Sequence, residues 1–377
     1  MSTRRCRFGV ALGIFLMTML MAACSSAPGP GADQAPHGTP GPAAPAITMN
    51  PAPGSHNVDP LGAIEVNAAD GLLTDVSLTN EEGKPVPGTL NSEKTAWKPN
   101  TPLGYGHTYT MTAKGLTVTG ISGPFTSTFD TLTPSNQVKT YLNTTGSAPL
   151  ADGGTYGVGT VIVAHFDEAV DKAEAQKHLS VTTDPPVPGS WYWLDDQNAH
   201  WRPEKYWAPG TKVTVASNIF GAQVGPGLYG QEDSKTSFTI GPAHVSIADD
   251  NTKQVQVFEN SKLIRTMPTS MGRGGSEDVG GKTIYFNTPA GIYTVMGKGN
   301  PVIMDSSSYG LPVNTRLGYK ETIGWATQIS ADGIYLHQLD ATVWAQGNTD
   351  TTHGCLNLNL DNSSWFYNYS LPGDVVE

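Results

Sequence analysis

The sequence predicts a mainly β protein: two tandem immunoglobulin-like β-sandwiches followed by a catalytic β-sandwich domain that carries one short helix. Three observations point there. Short alternating apolar runs, such as Ala63-Ile64-Glu65-Val66, His107-Thr108-Tyr109-Thr110-Met111 and Thr160-Val161-Ile162-Val163, are separated by Gly, Pro, Asn and Asp, with almost no helical periodicity. An internal repeat recurs at an interval slightly over 100 residues, the size of one immunoglobulin-like sandwich. Finally, 377 residues exceed one compact domain, and 43 Gly and 28 Pro accompany a hydrophobic content of 38%. That composition fits folded domains joined by turn-rich segments and not a disordered chain.

Residues 1–23 read as an address. Arg4, Arg5 and Arg7 form a positive head, and Phe8 to Ala23 carries no charge. A retained membrane helix competes with this reading, because the run is about long enough to span a bilayer. Met21-Ala22-Ala23-Cys24, followed by Ser25-Ser26 and a Pro/Gly-rich stretch, resembles a bacterial lipoprotein signal, with Met21 where Leu is usual. The resemblance implies a lipid on Cys24, giving an exported protein anchored at the outer face of the plasma membrane. Residues 24–46 read as an extended Pro/Gly-rich tether. Removing residues 1–23 takes the net charge from −11 to −14. A chain this acidic is not a nucleic-acid binder. Cys355 is then the one free thiol of an exported chain, with no disulfide partner.

The first sandwich is expected over 47–135 and the second over 136–241. Pro85-Val86-Pro87-Gly88 recurs as Pro186-Val187-Pro188-Gly189, and Ala96-Trp97-Lys98-Pro99 as His200-Trp201-Arg202-Pro203. At matching repeat positions, Trp97 and Trp201 read as core and not as carbohydrate-stacking platforms. The acidic Glu232-Asp233 pair reads as a solvated turn, with a cation site as the alternative. The catalytic domain is expected over 242–377. It opens with a hairpin about Asp249-Asp250-Asn251-Thr252, continues through Leu263-Ile264, Gly291–Val295 and Trp325–Ile329, and turns at Asp332-Gly333 into Ile334-Tyr335-Leu336-His337. Residues 297–324 are too poor in apolar residues for a core and read as a long functional loop. One helix is expected near the C-terminus, capped by Asp361 or Asn362, packed through Trp365-Phe366-Tyr367 and ended by Pro372-Gly373.

Gly272-Arg273-Gly274-Gly275 with Gly281-Lys282-Thr283 imitates a phosphate loop, but Ser276 stands where that pattern needs Gly, and Glu277 and Asp278 would repel phosphate. No metal-ligand spacing occurs among the nine histidines, and neither a metal nor a cofactor is expected. The segment that carries chemistry is His337, fourteen residues, then Thr352-His353-Gly354-Cys355-Leu356-Asn357. It resembles the L,D-transpeptidase signature. Lipobox, tether, two sandwiches and catalytic domain together resemble the multidomain L,D-transpeptidases of mycobacteria and related actinobacteria, as do Trp344-Ala345-Gln346-Gly347 and Trp365-Phe366-Tyr367.

The residues make chemical sense on their own terms. A thiolate attacks carbonyls, and an unperturbed Cys has a pKa of about 8.5, so Cys355 needs a base, for which His337 is the candidate. Gly354 lets the backbone approach, so that the amides of Gly354 and Cys355 can face a developing oxyanion. The resemblance implies the rest. The carbonyl of residue 338 fixes the His337 tautomer, with Gln338 where Ser is frequent. Tyr319 adds its hydroxyl to the oxyanion hole, while His353 and Asn357 shape the site. Met304 and Tyr309 belong to a flap over the acyl-donor channel, and Asp332 and Gly333 contact substrate. The implied partners are peptidoglycan stem peptides as donor and acceptor, and carbapenems as covalent inhibitors. A further strand and tail beyond Glu377 are also implied. An L,D-carboxypeptidase using the same cysteine, and an inactive cell-surface binding protein, stay open as alternatives.

Overall fold

A computed structural model describes residues 47–377 apart from Asp70, Val118 and Thr119. The expected signal segment, Cys24 and the tether lie outside the described residues. In the first sandwich, a four-stranded sheet in the spatial order Ile47–Asn50, Glu65–Ala68, Ala96–Pro99, Gly88–Leu90 faces a three-stranded sheet of Leu72–Asn80, Thr108–Thr117 and Gly120–Asp130. Alternation sends Val66, Leu73, Leu78, Met111 and Phe129 between the sheets. The second sandwich opposes two four-stranded sheets. One runs Gly154–Tyr156, Ser234–Ile240, Lys212–Ser217, Leu179–Asp184, and the other Gly189–Trp193, Asn198–Pro203, Ile162–Phe166, Thr140–Asn143.

The internal repeat has a packing cause. Trp97 and Trp201 are both buried core residues. A Cβ placed on Gly88 would lie 2.0 Å from Cζ2 of Trp97, and one on Gly189 would lie 2.3 Å from Cζ2 of Trp201. Each Pro-Val-Pro-Gly strand pairs with its Trp strand, Gly88 opposite Pro99 and Gly189 opposite Pro203. The glycine is there because an indole lies against its α-carbon.

In the third domain a five-stranded sheet runs Lys262–Pro268, Gln254–Glu259, His244–Asp249, Val375–Val376, Tyr293–Thr294. A four-stranded sheet runs Gly297–Gly299, Ala326–Gln328, Tyr335–Gln338, Leu356–Leu358. Val255, Val257, Met267, Leu336, Leu358 and Phe366 form the core. The domain is fastened to the second sandwich by main chain: Gly157 N donates to Pro372 O at 2.8 Å and Gly159 N to Gly373 O at 2.9 Å. Val375 enters the core of the second sandwich.

Four local expectations are corrected. Residues 297–324 are not a plain loop. Val302–Asp305 pairs with Lys320–Ile323 as a hairpin, hereafter the flap, with a single 3-10 turn at Ser306–Tyr309. Main-chain pairing holds it, with a small separate cluster of Ile284, Phe286 and Leu311, which explains why its apolar content looked too low. The decoy segment is likewise a hairpin, Ser276–Val279 against Lys282–Tyr285. The helix Leu360–Tyr369 is capped by Asn359, whose side chain accepts from Asn362 N at 2.9 Å. Asp361 and Asn362 lie inside the first turn and hold Arg265 instead. A second helix, Lys172–Gln176, is capped by Asp171. In the Glu232-Asp233 turn, Glu232 pairs with Lys139 at 2.5 Å and Asp233 accepts from Phe220 N at 2.9 Å.

Gly88→Ala and Gly189→Ala should each destabilise their own sandwich by about 1–3 kcal/mol, because the indole has no room to retreat in a packed core. Urea unfolding followed by tryptophan fluorescence measures this. Midpoints equal to wild type would show that the glycines are not there for the indoles.

Candidate active site

Residues 335–338 and 356–358 are adjacent parallel strands in the register Leu336 to Leu356 and His337 to Asn357. Parallel neighbours need a long crossover, and the fourteen-residue gap of the motif is most of it. The pairing brings the loop that ends in Cys355 beside the histidine strand. Leu336, Leu356 and Leu358 are buried, so hydrophobic packing sets the register.

His337 is 3% exposed. Its Nδ1–H donates to Gln338 O at 3.0 Å, which leaves the Nε2 lone pair as acceptor. Burial pulls its pKa down to about 4, against a smaller opposite effect of the Gln338 carbonyl. The ring is therefore neutral at neutral pH. Cys355 is half-buried and lines the cleft. Burial pushes its thiol up to about 11, with the Tyr335 amide pulling slightly the other way. The sulfur donates toward Gly333 O at 3.6 Å.

These facts define the resting site and correct one expectation, that of a free Gly354 amide. The resting thiol is protonated, and its hydrogen bond goes to Gly333 and not to the imidazole, because packing around the sulfur penalises the thiolate. Two neutral groups face the cleft. The Gly354 amide is not free for an oxyanion, since it donates to Thr352 Oγ1 at 3.0 Å. Thr352 Oγ1 in turn donates to Cys355 O at 2.7 Å, so the threonine ties the loop into a side-chain turn. The Cys355 amide is the backbone donor that remains beside the sulfur. Gly354 itself sits at φ +141°, a backbone conformation that side chains disfavour.

The loop is braced from behind. Thr288 Oγ1 donates to Gly354 O at 2.8 Å and accepts from Gly272 N at 2.9 Å. A Cβ on Gly272 would lie 2.3 Å from Thr288 N, so the glycine of the false phosphate loop exists for close backbone packing. Asp350 accepts from Met271 N at 2.9 Å and pairs with Lys253. None of these four contacts carries a local sequence signal, because each joins segments well apart in the chain.

The cleft has a volume of ≈ 930 Å³ and brings together Cys355, His337, His353, Gly354, Tyr319, Asp332, Gly333, Asn357, Met304 and Tyr309. Their postures differ. Tyr319 comes from the turn end of the flap, just before its second strand. Burial, then Tyr309 and Cys355, push its phenol far up, so it stays a hydrogen-bond donor. His353 packs edge-on to Phe286 at 5.0 Å and against Tyr319 at 4.9 Å between ring centroids. Its buried Nε2 has no hydrogen-bond partner among the described residues, and burial lowers its pKa. It is thus a neutral ring packed between Phe286 and Tyr319. Asn357 Nδ2 donates to Thr342 Oγ1 at 3.2 Å and braces the crossover. Asp332 is exposed at the rim, and Gly333 turns the chain at φ +89°. Tyr335 was missed. Two residues before His337 on the same strand face, its phenol is raised by burial and then by Cys355.

Residues 243–377 match the L,D-transpeptidase catalytic domain and residues 55–223 a bacterial Ig domain. The chain is 39% identical over 336 residues to L,D-transpeptidase 2 of Mycobacterium tuberculosis (strain CDC 1551 / Oshkosh), covering 88% of this chain and 78% of that protein. It is 34% identical over 342 residues to L,D-transpeptidase 5 of Mycobacterium tuberculosis (strain ATCC 25618 / H37Rv), covering 89% and 71%. An LD transpeptidase solved in complex with imipenem superposes with a TM-score of 0.51 at 28% identity, covering 63% of this chain and 98% of that one.

A thiol raised to about 11 sets the expected pH dependence of alkylation. Iodoacetamide reacts with thiolate, so its rate at Cys355 should be slow at pH 7 and climb about tenfold per pH unit toward pH 10. A rate already level between pH 6 and 9 would reveal a pre-formed thiolate–imidazolium pair.

Proposed function

The chain belongs to the L,D-transpeptidase family, and from that premise we propose that it cross-links peptidoglycan through a cysteine acyl-enzyme. Cys355 attacks the carbonyl of the L-centre of diaminopimelate in a tetrapeptide stem while His337 Nε2 takes the thiol proton. The bond to D-Ala breaks, the amine leaves with a proton returned by His337, and a thioester remains. The side-chain amine of a second stem's diaminopimelate then attacks the thioester, His337 removes its proton, and the thiol is released with a 3→3 cross-link. The Cys355 amide and the Tyr319 hydroxyl supply the oxyanion donors, each worth roughly 3 kcal/mol in the transition state.

The observation that carries the reading is the neutral imidazole with Nδ1 committed to Gln338 O, directly beside the strand that follows the one unpaired cysteine of the described residues. Asp305, Glu321 and Asp332 outnumber Lys282 among the charged residues of the cleft, an electrostatic bias toward an amine acceptor. A flap that covers the thioester favours amine over water. Export and lipidation at Cys24 belong to the same reading, with the two sandwiches as spacers that hold the catalytic domain toward the wall.

Purified protein incubated with disaccharide-tetrapeptide should yield dimers and free D-Ala, with both lost in Cys355→Ala. Tripeptide without dimer would make the enzyme a carboxypeptidase. Intact-mass measurement with imipenem should give one adduct on wild type and none on Cys355→Ala. An adduct that persists in the variant would place the nucleophile elsewhere. Labelled palmitate should enter the full chain in a lipoprotein-processing host and fail to enter Cys24→Ala. Equal labelling of both would remove the anchor.

A further inference from the structure

Gln338 touches more than the catalytic imidazole. Its carbonyl accepts from His337 Nδ1 at 3.0 Å, while its own N–H donates to Gly324 O at 3.1 Å. Its side-chain Nε2 donates to Asp340 Oδ2 at 2.8 Å. The other oxygen of Asp340 accepts from Leu360 N at 3.2 Å, the first residue of the helix 360–369. A Cβ on Gly324 would lie 2.7 Å from Gln338 Oε1 and 3.5 Å from Asn300 Oδ1, so both side-chain amides rest on that α-carbon.

Gly324 is the foot of the flap, one residue beyond its second strand, and Asn300 stands just before its first strand. Asn300 Oδ1 accepts from Trp325 N at 3.2 Å and joins the two feet. Trp325 holds φ +47°, a left-handed conformation rarely adopted by a bulky residue and costly unless its surroundings impose it. The strained turn, the two amides and the Asp340 link to the helix form one clamp. The flap above it carries Met304, Tyr309 and Tyr319.

We propose that Gln338 is a positioning residue whose side chain, wedged between Gly324 and Asp340, couples the foot of the flap to the orientation of His337. The placement of the flap and the aim of the imidazole then depend on a single residue. A serine at this position keeps the carbonyl but is too short to reach from Gly324 to Asp340. This inference rests on the acyl-enzyme reading above.

The test measures acylation of the full chain by imipenem under saturating and limiting drug, giving the maximal rate and the half-saturating concentration separately. Gln338→Ala should lower the maximal rate about tenfold, because a misaimed base weakens the chemical step more than ground-state binding. The half-saturating concentration should stay near wild type. Gly324→Ala, which displaces the amide from the other side, should reproduce the loss, and the double variant should be no slower than either single. Deuterium uptake over 320–326, which needs no activity, should rise in both singles. Wild-type rate and uptake in Gln338→Ala would overturn the coupling, as would losses that multiply in the double variant. A change in half-saturation alone, or a lowered melting temperature with an unchanged maximal rate, would make Gln338 merely structural and overturn it too. A wild-type protein that forms no adduct with imipenem would sink the functional reading first, and the coupling with it.

Discussion

The site depends on the pairing of two short parallel strands. Leu336 opposite Leu356 and His337 opposite Asn357 is the single register that buries the leucines and still leaves the loop before Leu356 beside the imidazole. Side chains alternate along a strand, so a slip of one residue would send His337 to the opposite face and out of the cleft that Cys355 lines. Hydrophobic burial, which knows nothing of chemistry, therefore sets how Cys355 and His337 are placed in the cleft. The hydrogen bonds of Thr352, Thr288 and Asp350 then shape the loop within that frame.

Burial also decides protonation. The same packing that fixes the strands raises the thiol and lowers the imidazole, so both shifts favour the uncharged pair. A resting thiolate would need a cation or a cluster of donors to offset its desolvation, and the sulfur faces a carbonyl, Gly333 O. The consequence is a thiol that rests protonated. Because oxidants attack thiolates, a protonated sulfur is also protected while no substrate is bound.

The sandwiches and the catalytic domain do not meet as beads on a string. Main-chain bonds from Gly157 and Gly159 reach the segment 372–373, and Val375 fills part of the second core. Tyr105 makes the corresponding joint between the two sandwiches, donating to Gly230 O at 2.9 Å and accepting from Gly221 N at 2.7 Å. Joints built of backbone and partly buried groups resist bending.

Sequence alone was enough for the mainly β architecture and the two-fold repeat with Trp97 and Trp201 in the core, and the motif singled out His337 and Cys355, which line one cleft. Period-2 alternation, turn residues and a dense local motif are written in neighbouring positions, so they survive without coordinates. The hairpin pairing of the flap, the helix cap at Asn359, the occupied amide of Gly354, the posture of His353 and the neutral state of Cys355 came only from the tertiary structure. The cap and the occupied amide are local contacts, Asn359 with Asn362 and Thr352 with Gly354, whereas the others depend on what a residue meets across tens of positions of chain: Val302–Asp305 against Lys320–Ile323, Tyr319 against His353. Desolvation and hydrogen-bond competition are properties of that assembled neighbourhood, and no local pattern of residue types records them.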